Sequence, residues 1–116
     1  MSKPLGPYTP AVRAGDWIIV SGQVGAIGGQ LVDGGIEAQT RQAVANVAAQ
    51  LEGMGAHLSD VVKTLCFLQD MGDFDVFNQA YMAGFGDHRP ARSTIRVAAL
   101  PLGAAVEIEA WAYKPL

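Results

Sequence analysis

A strand–helix–strand step in the second half of the chain restricts its possible folds more than any other feature. Asp60 to Leu68 carries the run Val61-Val62-Lys63-Thr64-Leu65-Cys66-Phe67-Leu68, largely apolar and rich in strand formers. Arg89-Pro90-Ala91-Arg92-Ser93-Thr94-Ile95-Arg96-Val97 alternates at period two, which also reads as a strand. Between them, Asp73 can cap a helix running to about Phe85. Its Phe74, Phe77, Tyr81 and Phe85 recur at spacings of three, four and four, an aromatic stripe suited to lie on a sheet. Such a step implies a right-handed crossover between parallel strands.

The flanking segments extend the pattern. Ala11-Val12-Arg13-Ala14 reads as a short strand that turns at Gly15-Asp16 into Trp17-Ile18-Ile19-Val20-Ser21-Gly22. The consecutive apolar residues of that second strand predict burial on both faces. Ile36 to Met54 is a helix, with Thr40, Val44, Val47, Leu51 and Met54 at spacings of four, three, four and three. Val106-Glu107-Ile108-Glu109-Ala110 is the last strand, and Pro101 and Gly103 before it predict a hairpin with the Arg92 strand. The order is strand-strand, helix, strand, helix, strand-strand. That is an α+β fold with a mixed sheet and both helices on one face.

The other sheet face is then bare. Arg92, Thr94 and Arg96 share one side of their strand, and Glu107, Glu109, Trp111 and Tyr113 share one side of theirs. Joined as a hairpin, they make a face too polar for a core and too aromatic for plain solvent. A solvated face with weak cross-strand ion pairs is one reading. Burial against another copy of the chain is the other.

At 116 residues the chain is long enough for one domain, spanning 1–116. A net charge of −3 with no Lys/Arg run lacks a phosphate-backbone footprint, so nucleic acid is not an expected partner. Cys66 is the only cysteine, so no intrachain disulfide can form; among Leu65, Phe67 and Leu68 it reads as a buried, inert thiol. The segment Met1 to Pro10 has no apolar h-region and no run reaches membrane-spanning length, so a cytoplasmic protein without membrane attachment is expected. That segment is read as an extended arm that holds Tyr8 between Pro7 and Pro10. Gly25 to Gly35 contains five glycines but neither a dinucleotide fingerprint nor a Walker lysine, so it is read as a flexible connector. His57 has no companions at metal-ligand spacing and is expected at the surface. Asn78 sits on the edge of the aromatic stripe, where a polar amide needs partners.

Several of these segments together resemble one family. Gly6-Pro7-Tyr8, Val20-Ser21-Gly22-Gln23, Phe77-Asn78-Gln79-Ala80-Tyr81, Arg89-Pro90-Ala91-Arg92-Ser93-Thr94 and Val106-Glu107-Ile108-Glu109-Ala110 are similar to the RidA (YjgF/L-PSP) reactive-intermediate deaminases. The likeness runs from about Gly6 to Tyr113. It implies a chorismate-mutase-like fold and a homotrimer with sites in the clefts between subunits. It implies hydrolysis of imines and enamines such as 2-iminobutanoate, 2-iminopropanoate and 2-aminoacrylate, made by pyridoxal-phosphate enzymes, to 2-keto acids and ammonia. The family's site carries over onto Tyr8, Ser21, Gly22, Asn78, Arg92 and Glu107, with Ser93 and Thr94 beside the arginine. Many members have Cys where this chain has Thr94.

The chemistry of that assignment is coherent. Arg92 would grip the substrate carboxylate through two parallel hydrogen bonds. Glu107 would orient or deprotonate the attacking water. No metal and no organic cofactor is needed. Two rival readings stand beside it: a non-catalytic trimer that binds small carboxylates or acts as a chaperone, and an endoribonuclease, against which the acidic balance argues.

Overall fold

A computed structural model describes residues 4–116 of the chain. It opens with β1 (Ala11–Ala14) paired antiparallel to β2 (Trp17–Val24). The glycine-rich connector is more ordered than expected. It contains a small hairpin, β3 (Ala26–Ile27) against β4 (Gln30–Leu31). Gly28 and Gly29 form its two-residue turn with φ 60 and 82, the left-handed pair that a tight hairpin of this twist requires.

Helix α1 (Gly35–Glu52) follows, then β5 (Val61–Leu68), α2 (Phe74–Phe85), β6 (Ala91–Arg96) and β7 (Val106–Tyr113). α1 stops two residues short of the expected Met54, whose N–H instead returns to Leu51 in a tighter turn (2.9 Å). Asp73 does not cap α2 with its side chain. Asp70 serves the preceding short turn, its carboxylate accepting from the Gly72 N–H at 2.8 Å.

The five-stranded sheet has the order β1-β2-β7-β5-β6. β5 and β6 are parallel with α2 as the crossover, as the sequence pattern requires. The expected hairpin between β6 and β7 is not formed. β7 instead runs antiparallel between β2 and β5, and β6 is left at the edge. Burial explains the choice: Val106, Ile108, Ala110 and Ala112 are all 0% exposed, which only a central strand allows, whereas no residue of β6 is fully buried.

Both helices cover one face of this sheet. Ala43, Val44, Val47 and Leu51 of α1 and Phe77, Tyr81 and Phe85 of α2 pack on Ile18, Val20, Cys66, Leu68 and the apolar face of β7. Cys66 is buried as expected, and burial pushes its thiol up to about 11. The opposite face is open. Trp17, Ile95, Trp111 and Tyr113 are exposed there and Ile19, Leu65 and Phe67 half-buried, so β2 is not buried on both faces. No helix among the described residues is long and apolar enough to cross a membrane.

Where β2 leads into the small hairpin, the chain passes directly against α1. A Cβ on Gly25 would stand 2.4 Å from the Gln39 carbonyl oxygen and 2.5 Å from its Cα. Neither is a flexible side-chain tip, so the helix itself would have to move. Gly25→Ala should therefore destabilise the fold by about 3 kcal/mol, the upper end of ordinary overpacking. A urea melt with an unchanged midpoint would contradict this.

Candidate functional site

The residues singled out in the sequence fall into two groups, built on different parts of the sheet. The first centres on a bulge in β2. Its pairing with β7 shifts from Val20↔Ala110 to Gln23↔Ile108, so Ser21-Gly22 carries one residue more than its partner strand. The freed Ser21 ties down the N-terminal arm: its N–H donates to the Pro10 carbonyl at 2.8 Å and its hydroxyl to the Thr9 carbonyl at 3.0 Å. Contrary to expectation the arm is not extended at Tyr8. The Tyr8 N–H turns back to Gly6 (2.9 Å), and the Tyr8 hydroxyl accepts from the Leu5 N–H at 3.1 Å. The part of the expected arm before Pro4 lies outside the described residues. Tyr8, Pro10, Gly22 and Gln23 line one crevice.

Glu107 belongs to this group. It lies on the open face of β7 with its carboxylate over the bulge. A Cβ on Gly22 would meet the Glu107 Cδ at 2.7 Å and Oε2 at 2.9 Å. The absence of a side chain at Gly22 is therefore what admits the carboxylate. Burial, and then the neighbouring Glu109, raise the Glu107 carboxyl above the usual carboxylate range. Glu109 itself accepts from the Trp111 indole N–H at 2.9 Å.

The second group is built between β6 and α2. The Arg92 guanidinium lies 5.7, 5.2 and 5.0 Å from the ring centroids of Phe74, Phe77 and Tyr81, close enough for cation–π attraction. Among the described residues it meets no hydrogen-bond acceptor and no carboxylate. Asn78 Oδ1 and Thr94 Oγ1 are buried with no hydrogen-bond partner. Asn78, Tyr81, Met82, Arg89, Pro90 and Arg92 line a cavity of about 360 Å³. The Tyr81 hydroxyl hydrogen-bonds Thr64 Oγ1 at 2.7 Å, and burial pushes its own ionisation up to about 12. Ser93 points the other way, its hydroxyl accepting from Lys63 Nζ at 2.8 Å on the open face.

Arg92 and Glu107 therefore do not share a face, as the expected hairpin would have had it. Arg92 pairs in register with Thr64 on the helix side of β5, whereas Glu107 pairs with Phe67 on the open side. β5 separates their strands, so they are two interstrand spacings, roughly 10 Å, apart laterally as well as on opposite faces. The groups within each half meet; the halves do not meet within one chain. The sequence places Tyr81 in the buried stripe and Arg89 and Pro90 at the start of the Arg92 strand, but does not show that they line one cavity with Met82. Only the position of Arg89, three residues before Arg92, hinted at its place. Among the described residues no three His, Cys, Asp or Glu side chains cluster as a metal site needs.

A mixed sheet with two helices on one face, a bulge glycine under a carboxylate and an unpaired arginine at an edge strand define a recognisable class. The family description Endoribonuclease L-PSP matches residues 1–114. A mouse protein named 2-iminobutanoate/2-iminopropanoate deaminase is 44% identical over 108 residues, covering 91% of this chain and 80% of that one. The crystal structure of the Escherichia coli YjgF gene product superposes with a TM-score of 0.89 at 40% identity, over 95% of this chain and 90% of that one. E. coli TdcF with bound serine gives a TM-score of 0.90 at 32% identity, over 96% and 91%. The chain belongs to this family, the L-PSP or YjgF/RidA proteins.

The raised Glu107 carboxyl has a stability consequence. Between its ordinary and its raised pKa the folded state holds the proton more tightly, so stability falls as pH rises through that interval. Above the interval the full penalty is present. Glu107→Gln removes it, so the variant should melt higher than the wild type at neutral pH. The two should converge in acid, below the carboxylate range. A variant that melts lower at neutral pH would show that the ionised carboxylate stabilises the fold.

Proposed function

We propose that this protein is an imine deaminase that hydrolyses small 2-imino acids, and their enamine tautomers such as 2-aminoacrylate, to 2-keto acids and ammonia. The observation that carries this reading is the Arg92 guanidinium: held by three aromatic rings, lining one cavity with Asn78, whose Oδ1 is partnerless, and without an anion among the described residues. A planar fork in that setting suits a carboxylate ligand. The name of the mouse relative and the serine bound to TdcF support a small amino-acid-like ligand.

The separation of the two halves supports a working site that lies between copies. β6 is an edge strand, so Arg92, Asn78 and Thr94 stand at the rim of one copy. Tyr8, Ser21, Gly22 and Glu107 of a neighbour would complete the site, and the open face bearing Trp17, Ile95, Trp111 and Tyr113 would be covered in the same assembly. Cyclic repetition of such a heterologous contact closes a ring, and a homotrimer is the assembly we propose.

In that site Arg92 binds the substrate carboxylate and orients the adjacent imine carbon. Glu107 takes a proton from a water as the water's oxygen bonds to the carbon of the protonated imine, and the C=N π electrons pass to the nitrogen, which becomes a neutral amine. In the resulting carbinolamine Glu107 returns that proton to the nitrogen; the C–N bond then breaks to release ammonia while the hydroxyl oxygen forms the keto C=O bond and gives its proton back to the Glu107 carboxylate. A carboxyl whose burial raises its pKa holds the proton more readily between the two transfers. Imines hydrolyse unaided, so positioning and modest electrostatics suffice.

The test couples the purified protein to a pyridoxal-phosphate enzyme that releases 2-aminoacrylate and follows pyruvate. Arg92→Ala should lose about tenfold to a hundredfold in kcat/KM, as expected for about 1.5–3 kcal/mol of a charge-assisted contact. Arg92→Lys should fail almost as badly, since an ammonium keeps the charge but not the fork. Glu107→Gln should lower turnover while leaving pyruvate binding largely intact. All three should keep the wild-type oligomeric state. Unchanged imine hydrolysis in Arg92→Ala would exclude the reading.

A further inference from the structure

The Arg92 cavity holds a second cation with no role in the mechanism above. Arg89 lines it together with Arg92, and among the described residues no carboxylate does. Arg89 is anchored despite its exposure: its Nη1 donates to the Gly86 carbonyl and, at 3.0 Å, to the His88 carbonyl. Those bonds occupy one corner of the guanidinium. Among the described residues its Nε and Nη2 have no acceptor. Both arginines line this cavity together with Tyr81. Asp87, the nearest acid in sequence, is exposed and does not line the cavity.

The cavity is also roomy for the smallest imino acids. 2-Iminopropanoate has six heavy atoms. Even at about 30 Å³ each, the share of a liquid water, they would fill roughly 180 Å³. That is about half of the 360 Å³ present. The remaining space belongs to a cavity lined by Arg89 as well as Arg92, which suits a side chain that ends in an anion.

We infer that Arg89 is a specificity-determining residue that favours 2-imino acids bearing a second carboxylate on the side chain. Arg92 takes the carboxylate next to the imine carbon, and Arg89 takes the distal one. The inference rests on the deaminase reading for the reaction but not for binding. Because Arg89 is exposed, its contribution is the screened attraction of a rim pair rather than that of a buried one.

The experiment compares 2-iminoglutarate with 2-iminopropanoate, each generated in situ by an amino-acid oxidase, in the wild type, Arg89→Leu and Arg89→Lys. The readout is the ratio of kcat/KM for the two imines. The wild type should favour the dicarboxylic imine, and the ratio should fall about fivefold in Arg89→Leu. Arg89→Lys should recover part of it, and raising the ionic strength should shrink the difference. The same comparison is made in parallel by calorimetry with 2-oxoglutarate and pyruvate. If neither imine is hydrolysed but 2-oxoglutarate binds more tightly in an Arg89-dependent way, the deaminase reading falls and the assignment of Arg89 stands. A ratio that Arg89→Leu leaves unchanged, in turnover or in binding, overturns it, as does a wild type that prefers the monocarboxylic ligand.

Discussion

A side chain on a β-strand reaches one face of its sheet only, and this alternation divides the candidate functional residues of the molecule. Arg92 is on the helix side and Glu107 on the open side, with β5 between their strands. No side-chain rotation brings them together across a packed sheet. Each half therefore has something missing. Among the described residues Arg92 has no carboxylate partner, and Asn78 Oδ1 is a buried acceptor without a donor. Glu107 is a carboxyl that burial drives toward its neutral form. A buried polar group without a partner ordinarily costs about 1–3 kcal/mol. Such unmet groups mark where a ligand or a second chain has something to supply.

Both halves rest on irregular places in an otherwise regular sheet. The bulge at Ser21-Gly22 releases a serine to hold the arm and a glycine to seat the Glu107 carboxylate. The edge position of β6 puts Arg92 at the rim, while α2 supplies the rings that hold it. Phe77 and Tyr81 do two jobs at once: each packs in the core, and each turns part of its ring to the guanidinium. The Tyr81–Thr64 hydrogen bond fixes that ring from behind. The cation is thus positioned by core residues rather than by a mobile loop.

Much of this was legible in the sequence because helical and strand periodicities are local. The stripes at Thr40, Val44, Val47 and Leu51 and at Phe77, Tyr81 and Phe85 are the buried faces of the two helices. Strand pairing is not local, and there the reading failed. Pro101 and Gly103 mark a real turn, with Leu102 between them at φ 61, but a turn does not name its strand partners. The chain between β6 and β7 crosses the end of β5. The Val97 N–H donates to the Leu68 carbonyl at 2.9 Å, and the Gln69 N–H to the Ala105 carbonyl at 3.2 Å. That crossing places β7 at the centre of the sheet and sets Arg92 and Glu107 on opposite faces. The residue types of the site were readable, in part through family resemblance; their division into halves was not. Arg89 was legible as the start of the Arg92 stretch, but no spacing in the sequence says that its guanidinium lines the same cavity as Arg92.

If the site is shared between copies, two individually defective chains should repair each other. Arg92→Ala and Glu107→Gln chains, each of low activity, would be unfolded together, refolded and tested for imine hydrolysis. Random mixing in a ring gives about one intersubunit site in four both wild-type residues, so about a quarter of wild-type activity should return. Mixed oligomers that form, as separable tags would show, yet stay as inactive as either parent would contradict a shared site and would require Arg92 and Glu107 to act within one chain.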